Sequence, residues 1–565
     1  MKATTHQILK KHWGYDKFRP MQEDIINSVL GGKDTLAILS TGGGKSITFQ
    51  VPGMMMDGMV IVVCPLIALM QDQVDSLNAA GITATCIHSN IDKRKINARL
   101  VDAKNGHYKF LYLSPERLDN DNLLRFVNMM NVCLIVIDEA HCISQWGYDF
   151  RPAYHHIKSF RKWFAGVPII ALTATANEHV QADIVKSLEF REGHNLFLST
   201  FKRTNLCIEV RKTEEKFKEI IHYIAANEGK CGIIFCRIRK KAEAMAAELK
   251  KRGVSATFYH GGMSSIDREN HQNLWIKGYV DVMCCTHAFG MGIDKSDVRF
   301  VFHVDIPEGL EAYFQEIGRA GRDGDESDCK LLYSGKELQS LKQSENYQPN
   351  KDVLASLHRF LCNKYSNKLN ESFQIDLEQI AKVMNMETET CNNALVMLQV
   401  SGLVHLTSNS STKAKVMILK KKEDYDKIGK DDFKLASFLF ALRKLMHGAY
   451  LKERVIDLTE LRIAINKTKS QVEIIKQLDK LNADGTLSYT IDKPIMYLTI
   501  KSTETSAIDG DVVEDRKDYH HVQHTSIVSF ISDQSNCRQR TVLTYFGEKI
   551  DKDCGKCDIC LSKGK

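Results

Sequence analysis

The stretch TLAILSTGGGKS, residues 35–46, runs from a short apolar segment through three glycines to a lysine and a serine. An apolar run of that length, bounded by turn residues, reads as a buried strand. The residues after Ser46 read as a helix, so the glycines sit between strand end and helix start. Glycines there let backbone amides curl around phosphate oxygens, and the helix N-terminus adds partial positive charge. Thr41, Gly42, Gly43 and Gly44 would form the cradle. Lys45 would reach the β- and γ-phosphates of a nucleoside triphosphate such as ATP, and Ser46 would ligate Mg²⁺.

Working outward, residues 60–64, 110–113, 132–137 and 169–172 are further apolar segments that end at turn or polar signals. Continuous apolar strands separated by helical stretches imply a parallel sheet covered on both faces. A second series starts near Cys207, with strands at 232–236, 256–259, 280–284, 300–303 and 330–333. Two α/β units in tandem are expected, joined near residues 200–210.

Directly after the 132–137 strand stands Asp138-Glu139-Ala140-His141. A carboxylate pair at the C-terminal edge of a strand suits the crevice where α/β sheets bind ligands. Asp138 is expected to hold Mg²⁺, and Glu139 to orient and deprotonate an attacking water. Late in the second series comes Gln315-Glu-Ile-Gly-Arg-Ala-Gly-Arg322. Arginines at 319 and 322 could serve hydrolysis only by meeting the γ-phosphate across a cleft, as an arginine finger does. Arg322 is the expected finger and Arg319 its companion.

With these motifs quoted, residues 10–335 resemble the RecQ family of superfamily 2 helicases. The relaxed phosphate loop, with Leu39 where the strict pattern has glycine, is similar to helicase loops. His12-Trp-Gly-Tyr-Asp-Lys-Phe-Arg-Pro-Met-Gln22 resembles the family's adenine motif, which implies that Tyr15 and Arg19 sandwich the base and Gln22 reads its edge. Residues 64–74, 112–117 and 171–176 resemble successive helicase motifs, and the last of these implies coupling of hydrolysis to domain movement. Residues 289–295 match the motif whose glycines and Asp294 approach nucleotide and strand. His141-Cys-Ile-Ser-Gln-Trp-Gly-Tyr-Asp-Phe-Arg151 resembles the aromatic-rich loop that senses single-stranded DNA. Trp146 and Phe150 offer stacking faces worth about 1–3 kcal/mol per base. Arg151 adds phosphate or stacking contacts, and Gln145 links the loop to the nucleotide site. Tyr148 stands where the family usually has histidine.

After Ser334 the texture changes. Helical spacing over 377–398, then Gly402, strand-like 403–406, a polar turn and 416–419, reads as a winged helix, and a similar arrangement follows at 458–500. Cys537, Cys554, Cys557 and Cys560 have spacing that suits tetrahedral Zn²⁺, with an iron–sulfur cluster as the alternative. Together with Leu543-Thr-Tyr-Phe-Gly-Glu548 they resemble the RecQ zinc module. In the familiar arrangement zinc follows the motor almost at once, with a winged helix and a helical domain after it. Here about two hundred residues intervene and the chain stops five residues past Cys560, so the family's duplex grip and strand-separating hairpin do not carry over.

The expected division is residues 1–205 and 206–340 as RecA-like α/β domains, 350–422 and 430–502 as winged-helix-like modules, and 516–565 as the zinc module. The 565 residues carry a net charge of +7 and 26% charged residues, ordinary for a soluble chain and a weak pointer to a polyanion. No run is long and apolar enough to span a bilayer, and the polar N-terminus lacks a secretory signal, which implies a cytoplasmic, reducing setting. The resemblance implies an ATP-dependent DNA helicase moving 3′→5′ in repair or recombination. It would be a monomer acting on single-stranded and branched DNA, with single-strand-binding protein or other repair factors as candidate partners. An RNA helicase of the same superfamily, and a DNA-binding scaffold with a decayed motor, are the competing readings.

Overall fold

In the computed structural model the described residues are 4–563, except 41, 89–90, 119–120, 145–153, 155, 264, 290–294, 345–348, 410–412, 426–427, 429–432, 466–470, 492–494, 506–507, 509 and 551. The chain divides into two compact units, Met1–Gln343 with Asp518–Lys565, and Ser344–Lys517. The second unit is thus an insertion between the second α/β series and the cysteine-rich end.

In the first unit, seven strands form one sheet: β1 (Thr35–Ile38), β2 (Met59–Val63), β3 (Ala84–Ile87), β4 (Phe110–Leu113), β5 (Val132–Ile137), β6 (Ile169–Thr173) and β7 (Asn195–Leu198). Their order is β3-β4-β2-β5-β6-β1-β7, with every pairing parallel. β1, β2, β4 and β6 are buried at every position, so they have no solvent side for polar residues and read as unbroken apolar runs. The sequence reading missed β3 and β7. β7 is an edge strand of alternating half-buried and exposed positions, a pattern without a continuous apolar run.

A second parallel sheet follows, from β8 (Leu206–Lys212), β9 (Gly232–Phe235), β10 (Ala256–Tyr259), β11 (Val282–Cys285), β12 (Phe300–His303) and β13 (Ser327–Tyr333). Its order is β10-β11-β9-β12-β13-β8. The tandem α/β arrangement is the one expected. At the end of the chain the helices Arg538–Tyr545 and Asp558–Lys563 lie against β8.

The inserted unit holds two three-stranded antiparallel sheets built from β14 (Ser372–Ile375), β15 (Val404–Asn409), β16 (Lys413–Ile418), β17 (Glu453–Asp457), β18 (Leu487–Ile491) and β19 (Ile495–Ile500). β15, β16, β18 and β19 fall where expected, β14 and β17 are additional, and the pairing corrects the division at 350–422 and 430–502. The orders are β14-β19-β15 and β17-β16-β18, so β15 and β16 do not form a wing hairpin. Residues 413–491 instead form one winged-helix-like body nested within the wing of another, which closes when β19 pairs with β15. A hairpin is the cheapest closure for successive strands, which is why a local reading pairs β15 with β16. Burial decides otherwise. Val404 shares a core with Leu498 and Ile500, whereas Ala414, Val416 and Ile418 share another with Leu487. Among the described residues no helix is long and apolar enough to cross a membrane.

Candidate nucleotide site and cysteine cluster

β1 delivers the chain into the glycine loop, and the helix Lys45–Met55 leaves it. Gly42 and Gly44 take φ of +83° and +76°, a left-handed conformation that costs other residues a Cβ clash. The Gly43 N–H donates to the Ser40 carbonyl at 2.8 Å, which closes the turn. Lys45 and Ser46 occupy the first helical turn, both half-buried. Thr41 lies outside the described residues.

Gln22 and Arg19 brace this loop. The Gln22 Nε2 donates to the Gly44 carbonyl at 3.0 Å and the Gly43 carbonyl at 3.3 Å, and Arg19 Nη1 donates to the Gly42 carbonyl. The Arg19 N–H donates to Gln22 Oε1 at 2.8 Å, so the buried Gln22 amide is engaged at both ends. In this state Gln22 therefore shapes the loop instead of facing outward. Tyr15 is 56% exposed, open for stacking.

Asp138 and Glu139 follow the C-terminal end of β5. Glu139 Oε1 lies 3.7 Å from Lys45 Nζ. Glu139 holds φ +47°, a strained backbone worth about 1–3 kcal/mol that concentrates at functional sites. Burial pushes the Glu139 carboxyl up, but the charges of Lys45, His141 and Arg319 outweigh it and hold the group below its ordinary range. Burial and the Glu139 charge push Asp138 up. The two neighbours are thus polarised in opposite senses, and Glu139 keeps its charge.

His141 carries the link to the next motif, with Nδ1 2.9 Å from Thr173 Oγ1 and 3.5 Å from Glu139 Oε2. The Tyr154 hydroxyl donates to the Asp138 carbonyl at 2.9 Å, and Ser144 donates to Asp183 at 2.6 Å. These contacts anchor one flank of the expected aromatic loop at the end of β5 and the other on the helix Glu178–Ser187. Gln145, Trp146, Phe150 and Arg151 themselves lie outside the described residues, as does Asp294.

The arginine motif follows the helix Leu310–Ile317 of the second sheet. Arg319 is buried, and its charge reaches Glu139. Arg322 lays its stem on the phosphate loop, where a Cβ added to Gly42 would sit 3.6 Å from the Arg322 Cγ. Lys45, Glu139, Arg319 and Arg322 therefore converge on one cleft between the two sheets. Ser46 and Asp138 follow β1 and β5 on the same sheet, and their oxygens are hard donors of the kind Mg²⁺ takes.

The four cysteines also converge, with all four sulfurs within 4.8 Å of one another. Cys557 Sγ lies 3.4 Å from Cys560 and 4.0 Å from Cys537, and Cys554 lies 3.9 Å from Cys560. A tetrahedron with metal–sulfur arms of about 2.3 Å has edges of about 3.8 Å, so the set fits zinc. Backbone N–H groups of Arg538, Cys554, Lys556, Cys557 and Cys560 point at these sulfurs, the donors a thiolate needs.

Sequence reading assigned no role to His141, Tyr154 or Glu311. Glu311 is buried and accepts from Asn177 at 2.8 Å, Tyr545 at 3.2 Å and Tyr519 at 3.4 Å, groups far apart in sequence. No local spacing could have marked it.

Comparison with known proteins agrees with this architecture. Residues 19–184 match the DEAD/DEAH box helicase family, 215–324 the helicase conserved C-terminal domain, and 498–561 the RecQ zinc-binding family. The ATP-dependent DNA helicase RecQ of Bacillus subtilis is 42% identical over 360 residues, covering 63% of this chain and 61% of that protein. This chain therefore spans about three-fifths of that relative's length. The putative ATP-dependent RNA helicase R290 of Acanthamoeba polyphaga mimivirus is 38% identical over 394 residues, 68% of this chain and 71% of that protein. The S. cerevisiae Dbp5 structure bound to RNA and ADP BeF3 has a TM-score of 0.50 at 20% identity, covering 59% of this chain and 88% of that one, a likeness of fold alone. With tandem helicase domains, a zinc-binding module of four clustered cysteines and relatives of this identity, the chain belongs to the RecQ family of helicases.

Proposed function

We propose that the chain is an ATP-driven DNA helicase of RecQ type, moving 3′→5′ on single-stranded DNA and unwinding duplex in repair or recombination. The observation that carries this reading is the convergence of Lys45 and Glu139 from one lobe with Arg319 and Arg322 from the other.

In the proposed cycle ATP enters between the lobes, and Lys45 exchanges Glu139 for the β- and γ-phosphates. Glu139, kept ionised by the surrounding cations, orients the attacking water and takes its proton. Ser46 and Asp138 would hold Mg²⁺, whose charge would offset that of the phosphate oxygens. Arg322 and Arg319 stabilise charge developing on the γ-phosphate, an effect worth roughly 10³–10⁵ in rate for such fingers. Once nucleotide entry releases Arg19 and Gln22 from the phosphate loop, Tyr15 and Arg19 stack on the adenine and Gln22 reads its edge, while Asp294 approaches nucleotide and strand. His141 and Thr173 relay the state of the site toward the joint between lobes. Gln145, Trp146, Phe150 and Arg151 report the presence of strand, with Gly42, Gly43, Gly44 and Thr41 as the phosphate cradle. Zn²⁺ on the four cysteines is structural.

Substrate choice is the open contest, because the mimivirus relative is named an RNA helicase. ATP hydrolysis measured with matched DNA and RNA oligonucleotides tests it, and stimulation by RNA alone would overturn the DNA reading. Strand displacement on 3′-tailed and 5′-tailed duplexes tests direction. The expected partners are single-stranded and branched DNA and single-strand-binding protein, with a monomeric, cytoplasmic enzyme.

A further inference from the structure

Between β7 and β8 the chain crosses from one lobe to the other as Ser199-Thr-Phe-Lys-Arg-Thr-Asn205. This linker is gripped from two sides. On one side, the cysteine module holds it. Glu548 accepts from the Thr200 hydroxyl at 3.0 Å and from the Phe201 N–H at 2.5 Å. The Phe546 ring stacks on Phe201 at 4.7 Å, and Gln539 Nε2 donates to the Arg203 carbonyl at 2.7 Å. Gln539 stands in the first turn of the helix that starts beside Cys537.

On the other side, the linker holds the arginine motif. Arg203 donates through Nη2 to the carbonyls of Ala320 at 2.7 Å and Gly321 at 2.9 Å, and through Nη1 to Gly318 at 3.4 Å. Asn205 Nδ2 donates to the carbonyls of Gly321 at 2.8 Å and Asp325 at 2.9 Å. These carbonyls lie at or past the end of the helix Leu310–Ile317, where the helical ladder no longer continues; that of Gly321 also accepts from the Gly324 N–H at 3.1 Å, and that of Asp325 from the Ser327 hydroxyl at 3.3 Å. The approach is close enough to dictate sequence. Gly321 takes φ +54°, and a Cβ there would sit 2.4 Å from Asn205 Nδ2. Arg319 and Arg322 alternate with the very residues whose carbonyls are clamped.

We propose that Arg203 and Asn205 are positioning residues for the arginine loop, set in place by the cysteine module through Gln539. They touch no nucleotide and act through Arg319 and Arg322. This inference rests on the proposed role of those two arginines in hydrolysis. Its physical basis is that a guanidinium fork pre-organises three carbonyls at once, and a finger displaced by about 1 Å forfeits on the order of 10²-fold in rate.

The test is steady-state hydrolysis by the full-length protein, with saturating single-stranded DNA, for wild type, R203Q, N205A, Q539A and R322A. Binding of a non-hydrolysable ATP analogue and thermal melting are measured alongside. R203Q should lower kcat at least tenfold while leaving analogue affinity and KM for ATP within twofold, with a smaller kcat loss for N205A and Q539A. The double variant R203Q/R322A should be no slower than R322A alone, because a finger already removed has nothing left to position. Normal kcat in R203Q, or losses that multiply in the double variant, would overturn the proposal. So would an unfolded R203Q accompanied by unchanged kcat in N205A and Q539A. Failure of the underlying reading looks different. A wild-type protein without DNA-stimulated hydrolysis, or an R322A variant with full activity, removes the finger and the clamp together.

Discussion

The nucleotide lobe and the inserted unit are both built from short strands and amphipathic helices, yet only one could be assembled from local sequence. In the lobe every strand is parallel to its neighbours. Parallel pairing requires a helical crossover of fixed hand, so the order of elements nearly dictates the topology. The phosphate loop, the carboxylate pair and the threonine motif then fall at strand C-terminal edges, and the sites of β1, β5 and β6 become neighbours automatically. In the inserted unit the named strands β14–β19 pair antiparallel, a strand has several admissible partners, and side-chain burial chooses among them. The contrast teaches that chemistry was encoded locally in the motor, whereas shape in the insertion was encoded at long range.

The largest expected effect separates the two regions outright. Lys45→Ala should reduce DNA-stimulated ATP hydrolysis to background while leaving the unfolding of residues 344–517 unaltered. Near-normal turnover in that variant would remove Lys45 from the site. Stripping the metal comes next, because structural zinc supplies apparent binding energy on the order of 10–16 kcal/mol. Chelation should unfold the cysteine module and loosen the first unit, and metal analysis should return one zinc per chain. Finding iron instead would transfer the site to a cluster.

Two smaller tests bear on the nested insertion. Leu498 is fully buried in its core, so Leu498→Ala should cost about 2–5 kcal/mol of the inserted unit's stability with kcat for ATP unchanged. Thr407 and Tyr497 are paired across β15 and β19. Cysteines at both positions should therefore oxidise to a disulfide, whereas a hairpin of β15 on β16 would leave both thiols free to alkylation.

The smallest effect concerns Glu311. Burial pushes its carboxyl up to about 7 despite hydrogen bonds from Tyr545, Tyr519 and Asn177. A folded-state value above the ordinary 4.5 means that this group's stabilising contribution is complete below about pH 4.5 and is lost as pH rises through about 7. Melting temperature of the first unit should accordingly carry a downward component over that window, and Glu311→Gln should flatten it. An identical profile in the variant would show that the carboxyl does not titrate there.

Sequence by itself marked out the residues proposed for the motor's chemistry. The glycines at 42–44, Lys45, the Asp138-Glu139 pair and the spaced arginines each advertise an expected role through residue type and spacing, because each motif is contiguous within itself. It also determined the cysteine cluster, since four thiolates at such spacing have few other uses. Only the tertiary structure decided which wing strands pair, that Gln22 braces the phosphate loop, that Glu311 joins Asn177 to two tyrosines, and that Arg203 holds the arginine loop. The physical reason is common to all four. A buried hydrogen bond or a strand pairing joins groups whose separation in sequence is arbitrary, and no local pattern records a partner that only folding brings within reach.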